Sequence, residues 1–397
     1  MNARPDVPVP SNEPITGYAP GSPEKKALKA ALQELRSKEI EIPLFIGGQE
    51  LRTKNLGDAR CPHDHKHLLG RYHKAGAKEV KLAVAAAVRA QREWAAMPFH
   101  ARAAIFLKAA DILSGPRRFM VNAAAMLCQS KNPFQSEIDA VCELADFWRF
   151  NAYYAEKIFS QTPSISPRGT WNYMEYRPLE GFVFAATPFN FASIAGNLPS
   201  APALLGNTVV WKPASSAVYS AWFVLDVLRQ AGLPDGVINM VAGSGAEVGD
   251  PVLASEHLAG IHFTGSTAVF QHMWATVGNN IAKYRCYPRL VGETGGKDFI
   301  FAHPSADAAA VATAMTRGAF EYQGQKCSAA SRAYVPKSLW KTVRPLVEEQ
   351  VAGMKVGGVE DFRNFVNAVI DRNAYSTIKG YVDYAKTAKK KDAQGII

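Results

Sequence analysis

The chain has 397 residues, 48% of them hydrophobic and 20% charged, with a formal net charge of +10. That length is more than one ordinary core and predicts two domains, and the composition is that of a globular enzyme rather than a disordered or fibrous chain. No apolar run approaches the roughly 18 residues of a membrane span. The positive residues are scattered apart from Lys386–Lys391, with no zinc spacing and no RNA-binding aromatic signature beside them, which favours a solvated charge excess over a nucleic-acid or metal partner.

Five cysteines, Cys61, Cys128, Cys142, Cys286 and Cys327, stand at no regular spacing. An odd, irregular set argues against a disulfide framework and for a reducing compartment. Met1–Pro23 is rich in proline, carries Asp6 and Glu13, and has neither the apolar stretch of a signal peptide nor the Arg-rich, acid-poor helix of a transit peptide. A cytoplasmic protein is the expectation.

In chain order, residues 1–23 read as an extended, poorly ordered arm. Ser22, Pro23 and Glu24 form an N-cap, a first-turn proline and an acidic first turn, opening a helix to about Lys38. Ile42–Ile46 predicts a short strand with a Gly47-Gly48 turn. Alanine-rich helical periodicity covers Ala77–Ser114, interrupted at Pro98, and further helices are predicted over Arg117–Ser130 and Phe134–Ser160. Trp171–Arg177 then alternates as an exposed strand, either an arm that pairs with another subunit or a surface hairpin.

From Gly181 the pattern turns α/β. Phe182–Ala186, Thr208–Trp211, Val237–Val241 and Ile261–Phe263 are short apolar runs, with helical segments at Ser216–Gly232 and Gly245–Ser255 between them. Such alternation predicts parallel strands with crossover helices, a doubly wound sheet whose ligands sit at the carboxyl ends of the strands. A second α/β unit is predicted from about Asp298, with helices around Ala306–Tyr322 and Ser338–Val351.

The residues with chemistry fall at those strand ends. Gly265 and Ser266 turn a strand into a helix whose free N–H groups suit a phosphate, or simply an N-cap. Lys212 ends a strand beside Pro213, and Asn190, between Phe189 and Phe191, puts an amide where an oxyanion can sit, or else makes an Asx turn. Gly243–Gly249 is one residue too long for the usual dinucleotide fingerprint and reads as a tight turn. Cys327, among Gln325, Lys326 and Ser328, is either an inert thiol or a nucleophile whose neighbours lower its pKa. Glu293, between glycines in Gly292–Lys297, is a surface acid or a mobile carboxylate that activates water.

Together, Asn190, Lys212, Gly265-Ser266, Glu293 and Cys327 stand in the order and spacing of the aldehyde dehydrogenase superfamily, which the chain resembles from about Ser22 onward. Thr187–Ala192, Phe263–Phe270, Pro288–Glu293 and Phe320–Ala329 resemble the branch that oxidises L-glutamate γ-semialdehyde in proline breakdown. The resemblance implies an α/β dehydrogenase fold: arm and helix over 1–40, an NAD-binding domain over 41–292 with 161–180 as a protruding oligomerisation strand, and a catalytic domain from 293. It implies that Cys327 attacks the aldehyde, that the Asn190 amide and the Cys327 N–H hold the oxyanion, and that Glu293 activates the hydrolytic water.

It further implies that Lys212, Ser215, Gly265, Ser266 and Phe189 meet NAD, with Ser215 where relatives often carry a ribose-binding glutamate. Phe191, Ser328 and Glu143 match positions lining the aldehyde pocket. The family's chain runs on past residue 397 with a nicotinamide-ribose glutamate and a substrate-anchoring loop. These 397 residues are therefore expected to be inactive and poorly soluble alone, and a homodimer or larger homo-oligomer is expected at full length. A different semialdehyde, such as that of succinate, a cofactor-free cysteine hydrolase using Cys327 and Glu293, and a non-catalytic assembly partner are the competing readings.

Overall fold

A computed structural model describes residues 6–387. Helix α1 (Pro23–Arg36) starts where its signals place it: the Ser22 hydroxyl accepts from Lys25 N–H at 3.2 Å, and Leu28, Ala31, Leu32 and Leu35 form its buried stripe. Pro43 splits the predicted first strand into β1 (Ile40–Ile42) and β2 (Leu44–Ile46), which enter different sheets. Proline has no N–H to donate to a ladder, so the chain switches partners there. Strands β3 (Gln49–Leu51), β4 (Leu56–Cys61) and β5 (Asp64–His73) follow, and β1, β5 and β4 form a three-stranded sheet that the sequence reading passed over.

Helices α2 (Ala77–Ala96) and α3 (Phe99–Ser114) are separated at Pro98, and α4 (Arg118–Gln129) follows. The predicted helix from Phe134 to Ser160 is composite. It comprises α5 (Pro133–Ser136), a π-helical turn at Glu137–Cys142 and α6 (Glu143–Phe159).

The centre of the molecule is a seven-stranded sheet. Its strands are β6 (Phe182–Ala186), β7 (Thr208–Lys212), β8 (Ile238–Met240), β9 (Leu258–Thr264) and β10 (Arg289–Glu293), with β2 and β3 at one edge, in the order β10-β9-β6-β7-β8-β2-β3. The first five are mutually parallel and β2 and β3 are antiparallel additions. Phe182, Phe184, Val209 and Val210 are wholly buried, as expected of strands covered on both faces, and each contributes about 1.5–3 kcal/mol of burial.

Crossovers are made by α7 (Ala192–Leu204), α8 (Val218–Ala231) and α9 (Gly245–Leu253), and α10 (Thr267–Asn279) leads on to β10. Helix α7 escaped the sequence reading because Pro199 and Pro202 lie inside it. The order in which strands are added reverses between β6 and β9, with β7 and β8 laid on one side and β10 on the other, which opens a crevice at their carboxyl ends. Beyond β10, β11 (Asp298–Phe301) pairs in parallel with β12 (Ala330–Tyr334), flanked by α11 (Ala308–Phe320) and α12 (Lys337–Ala352). A small separate core of Ala302, Val311, Ala312 and Val343 lies there. Helix α13 (Arg372–Thr387) closes the described chain, so most of the Lys386–Lys391 cluster lies outside the described residues.

Two expectations are corrected. Within its own chain the stretch 161–180 forms no strand and no hairpin: its backbone bonds are local turns such as Thr170 N–H to the Pro167 carbonyl, and no other strand lies against it. The described part of the N-terminal arm is not poorly ordered but docked. Val7 N–H donates to Glu156 at 3.0 Å, Glu13 N–H to Asp146 at 2.7 Å, and Thr16 N–H and the Tyr18 hydroxyl to Glu137 at 2.8 and 2.6 Å. Arg118 and Arg149 grip the Glu13 carboxylate at 2.7 and 2.6 Å. Composition missed this because the ordering comes from carboxylates and arginines more than a hundred residues away.

Glu137 is wholly buried and also paired with Arg118, and these bonds hold its pKa down against the opposing effect of burial. Arg118→Met leaves that carboxylate uncompensated, and urea unfolding should show a loss of about 3–5 kcal/mol. A carboxyl lowered in the folded state stabilises above its ordinary value of 4.5, and that contribution disappears as pH falls through the lower folded value. The deficit of the variant should therefore shrink in acid.

Candidate active site

A cleft of about 1010 Å³ lies at the carboxyl ends of β6, β7 and β9, reaching the loop after β10. Its walls include Phe189, Asn190, Lys212, Gly265, Ser266 and Cys327, so the structure brings together six of the residues singled out from sequence.

On one side are the turns that suit a dinucleotide. Ser266 caps α10, its hydroxyl accepting from Val269 N–H at 3.4 Å. A Cβ on Gly265 would sit 2.6 Å from the Phe263 ring, so the turn needs glycine. Lys212, the last residue of β7, is half-buried, and its ammonium reaches only the Pro213 carbonyl at 3.4 Å, a poor partner for a cation. Burial alone pushes its pKa down. A desolvated ammonium facing a cleft is satisfied by hydroxyl or phosphate oxygens of a ligand.

Ser215 lies beside this wall rather than in it, its hydroxyl bonded to the Gly243 carbonyl at 3.1 Å. Gly245 and Ala246, at the start of α9, do line the cleft. The Gly243–Gly249 turn, given little weight from its spacing, thus borders the site, with Ser244 and Glu247 as a capping box. Ala374, Thr377 and Ile378 of α13 line it too, and no motif pointed to them.

On the other side is the nucleophile loop. It leaves α11 through Tyr322 and Gln323, both left-handed, with φ of +51° and +57°. Such backbone in non-glycine residues persists only when its surroundings enforce it. Here the Tyr322 hydroxyl donates to the Gln129 carbonyl at 2.8 Å, and the Gln323 amide to the Ala368 carbonyl at 2.7 Å. Asn190 Nδ2 donates to the Gln325 carbonyl at 2.9 Å, tying the end of β6 to the loop two residues before the cysteine. Gly296 is needed for close approach, because a Cβ there would overlap the Cys327 carbonyl oxygen.

Cys327 differs from expectation in one respect. Its thiol is not activated by a cation: burial first, then a hydrogen bond and charge from Glu293, push it up to about 11. The Lys326 ammonium, the neighbour that could lower it, points instead to Asp139 and Glu321 at 3.4 and 3.6 Å. Glu293 ends β10, and its carboxylate is near enough to help raise the pKa of the thiol, which puts a proton acceptor in the neighbourhood of the nucleophile.

The three residues assigned to the aldehyde pocket lie outside the walls of this cleft. Phe191 is buried with its ring over Lys131 and Lys326, at 4.5 and 5.5 Å from their ammonium groups. Ser328 is exposed. Glu143 accepts from the Ser193 hydroxyl at 2.5 Å, and burial raises its pKa. Among the described residues no cluster of three or more metal-ligating side chains occurs.

Residues 51–396 match the model of the aldehyde dehydrogenase family. The chain belongs to that family. It is 48% identical over 382 residues to the Δ1-pyrroline-5-carboxylate dehydrogenase of Agaricus bisporus, covering 96% of this chain and 70% of that one. It is 46% identical over 397 residues to the mitochondrial enzyme of the same name from Dictyostelium discoideum, covering 100% of this chain and 71% of that one. The NAD-bound crystal structure of the Mycobacterium tuberculosis Δ1-pyrroline-5-carboxylate dehydrogenase superposes with a TM-score of 0.96 at 51% identity, covering 98% of this chain and 72% of that one.

The cytoplasmic expectation is corrected here. The Dictyostelium relative and several mammalian ones are named as mitochondrial, which overturns the ground for it. Free cysteines mark a reducing environment, and the mitochondrial matrix is one as much as the cytosol, so cysteine usage could not separate them.

Gly296→Ala forces the nucleophile loop to shift while leaving the strand register alone. Aldehyde oxidation should fall on the order of 10²-fold, the usual result of a misplaced reacting atom, with cofactor affinity kept; steady-state kinetics and NAD titration check both.

Proposed function

We propose that this chain oxidises L-glutamate γ-semialdehyde, the open form of Δ1-pyrroline-5-carboxylate, to L-glutamate with NAD as cofactor, a step of proline breakdown. The observation that carries this reading is Cys327, with Glu293 near it, in the wall of a cleft whose other wall offers a dinucleotide turn and an unpaired ammonium. The names of the relatives support the substrate, and the NAD held by the Mycobacterium structure supports the cofactor.

The chain's own residues fit NAD. Lys212 lacks an anionic partner and is placed to take ribose hydroxyls. The N-terminus of α10 at Ser266 offers N–H groups to a pyrophosphate, and Phe189 lies along the same wall. When bound, NAD supplies the hydride acceptor. In the reading proposed here the thiol proton of Cys327 passes to Glu293, and the sulfur forms a bond to the aldehyde carbon. The second N–H of the Asn190 amide and the Cys327 N–H hold the oxygen that becomes negative. Loss of hydride leaves a thioester on Cys327. Glu293 gives that first proton up to solvent and, again a carboxylate, takes one from water, which attacks the thioester carbon; the proton passes on to the departing sulfur as glutamate is released. Phe191, Ser328 and Glu143 are proposed to shape the aldehyde side, and Ser215 to flank the adenosine ribose.

We keep as proposals the division into a cofactor-binding unit over 41–292 and a catalytic unit from 293. The same holds for assembly into a homo-oligomer through the exposed 161–180 segment, where Trp171 and Tyr173 are 85% and 67% exposed.

Cys327→Ala should abolish NADH formation from Δ1-pyrroline-5-carboxylate while NAD titration stays near wild type; appreciable turnover would remove the covalent mechanism. NADH produced by the parent also separates a dehydrogenase from a cofactor-free hydrolase. Glu293→Gln should give a slow first turnover of NADH and almost no steady turnover, because both the thiol and the hydrolytic water lose their proton acceptor. Normal steady turnover would assign the water to another group.

A further inference from the structure

Beneath the nucleophile loop lies a set of charges that this mechanism does not use. Lys131 is wholly buried, and its ammonium donates to Asp139 at 2.6 Å while lying 4.5 and 4.4 Å from the Phe191 and Tyr322 ring centres. Burying an ammonium costs several kcal/mol unless a carboxylate and aromatic faces replace its water, and here both do. Asp139 receives a second cation as well, Lys326, at 3.4 Å. One carboxylate thus holds two ammonium groups, and it sits on the π-helical turn Glu137–Cys142, a distortion often found at functional sites.

The consequence falls on Cys327, the next residue after Lys326. A cation within about 4–6 Å of a thiol favours the thiolate. With the Lys326 ammonium drawn down to Asp139 and Glu321, the groups around the thiol are acidic. Glu293 at the end of β10 lies near enough to raise its pKa, and Asp298 at the start of β11 borders the Gly296 backbone against which the Cys327 carbonyl rests. Glu143 lies on α6, bonded to Ser193. Of the cations on the adjoining segments, Lys131 is committed to Asp139, and Arg332 of β12 donates to the Lys297 carbonyl at 3.5 Å.

We propose that Asp139 is a positioning residue that holds the Lys326 ammonium away from the Cys327 sulfur, so that the nucleophile rests as a thiol. A resting thiol resists oxidants and stray alkylating agents that a standing thiolate would meet. The inference deepens the role given to Cys327 above and rests on it, but its test needs no turnover. An active Cys327→Ala enzyme would remove the mechanism and leave this measurement standing.

The test is the pH profile of Cys327 alkylation by iodoacetamide, read by mass spectrometry of the Cys327 peptide so that the other cysteines do not count. Lys131→Met with Asp139→Asn removes both buried charges without leaving either unpaired. Alkylation at neutral pH should then rise about tenfold, with the profile displaced by about one unit to lower pH. Adding Lys326→Met to that pair should return the profile to the parent's, and Lys326→Met alone should leave it where it was. Asp139→Asn alone carries the same two expectations if the pair does not fold. An unmoved profile in a variant with native near-ultraviolet circular dichroism overturns the proposal. So does a displacement that persists with Lys326→Met, because loop packing and not the ammonium would then be its cause.

Discussion

The parallel pairing of β9 with β10 is the constraint on which the site depends. Register places Glu293 opposite Thr264, and the Gly265 N–H donates to the Glu293 carbonyl at 3.1 Å. One backbone bond thus joins the turn that suits a pyrophosphate to the residue near the thiol. A slip of one residue in β10 would send the Glu293 side chain to the opposite face of the sheet and away from Cys327. Gly292 lies under the Phe270 ring and Gly296 against the Cys327 backbone, so close approach fixes both ends of this short segment.

Electrostatics within the cleft follow from which charges are paired. Lys212 is half-buried and unpaired, and its pKa falls; Lys131 is buried and paired, and Asp139 and two rings offset part of the same penalty. The first is the pattern of a site waiting for a ligand, and the second that of a structural anchor. Cys327 belongs to neither group. Its high value reflects burial beside a carboxylate, which suits a nucleophile that gives up its proton to Glu293 at the moment of attack instead of standing ionised.

Much of the α/β half was legible because local signals suffice there. Ser22-Pro23-Glu24, the continuous apolar runs of β6 and β7, and the break at Pro98 each act within a few residues. The turns carrying Lys212, Gly265-Ser266 and Asn190 could be placed because parallel strands must deliver their carboxyl ends to one edge of the sheet. The features that were missed depend on distant partners. The β4–β5 hairpin has Gly57 under the Tyr72 ring and Gly70 against the Ile40 backbone, contacts that no alternation pattern announces. Trp171–Arg177 alternates like a strand, yet a strand exists only where a neighbour accepts its hydrogen bonds. Lys326 beside Cys327 read as an activating cation because sequence gives proximity along the chain and not the direction of a long side chain. Asp139, which decides that direction, lies nearly two hundred residues earlier.

The π-helical turn at Glu137–Cys142 also relates the arm to the site. Glu137 faces the N-terminal arm, bonded to Thr16, Tyr18, Asn122 and Arg118, while Asp139, two residues on, faces the nucleophile loop through Lys131 and Lys326. In a regular α-helix residues two apart point about 200° from one another, so one turn can serve two opposite neighbours. Both carboxylates are buried, and each is balanced by arginine or lysine from another segment. Buried pairs of this kind add little net stability over apolar side chains of the same size, but removing one partner is costly. Their effect is to reject alternative placements of the arm and of the loop, because any shift leaves a buried charge without its counterpart. The precision of the Cys327 loop, with two left-handed residues just before it, is therefore secured from below by charge pairing as well as from above by the Asn190 bond to Gln325.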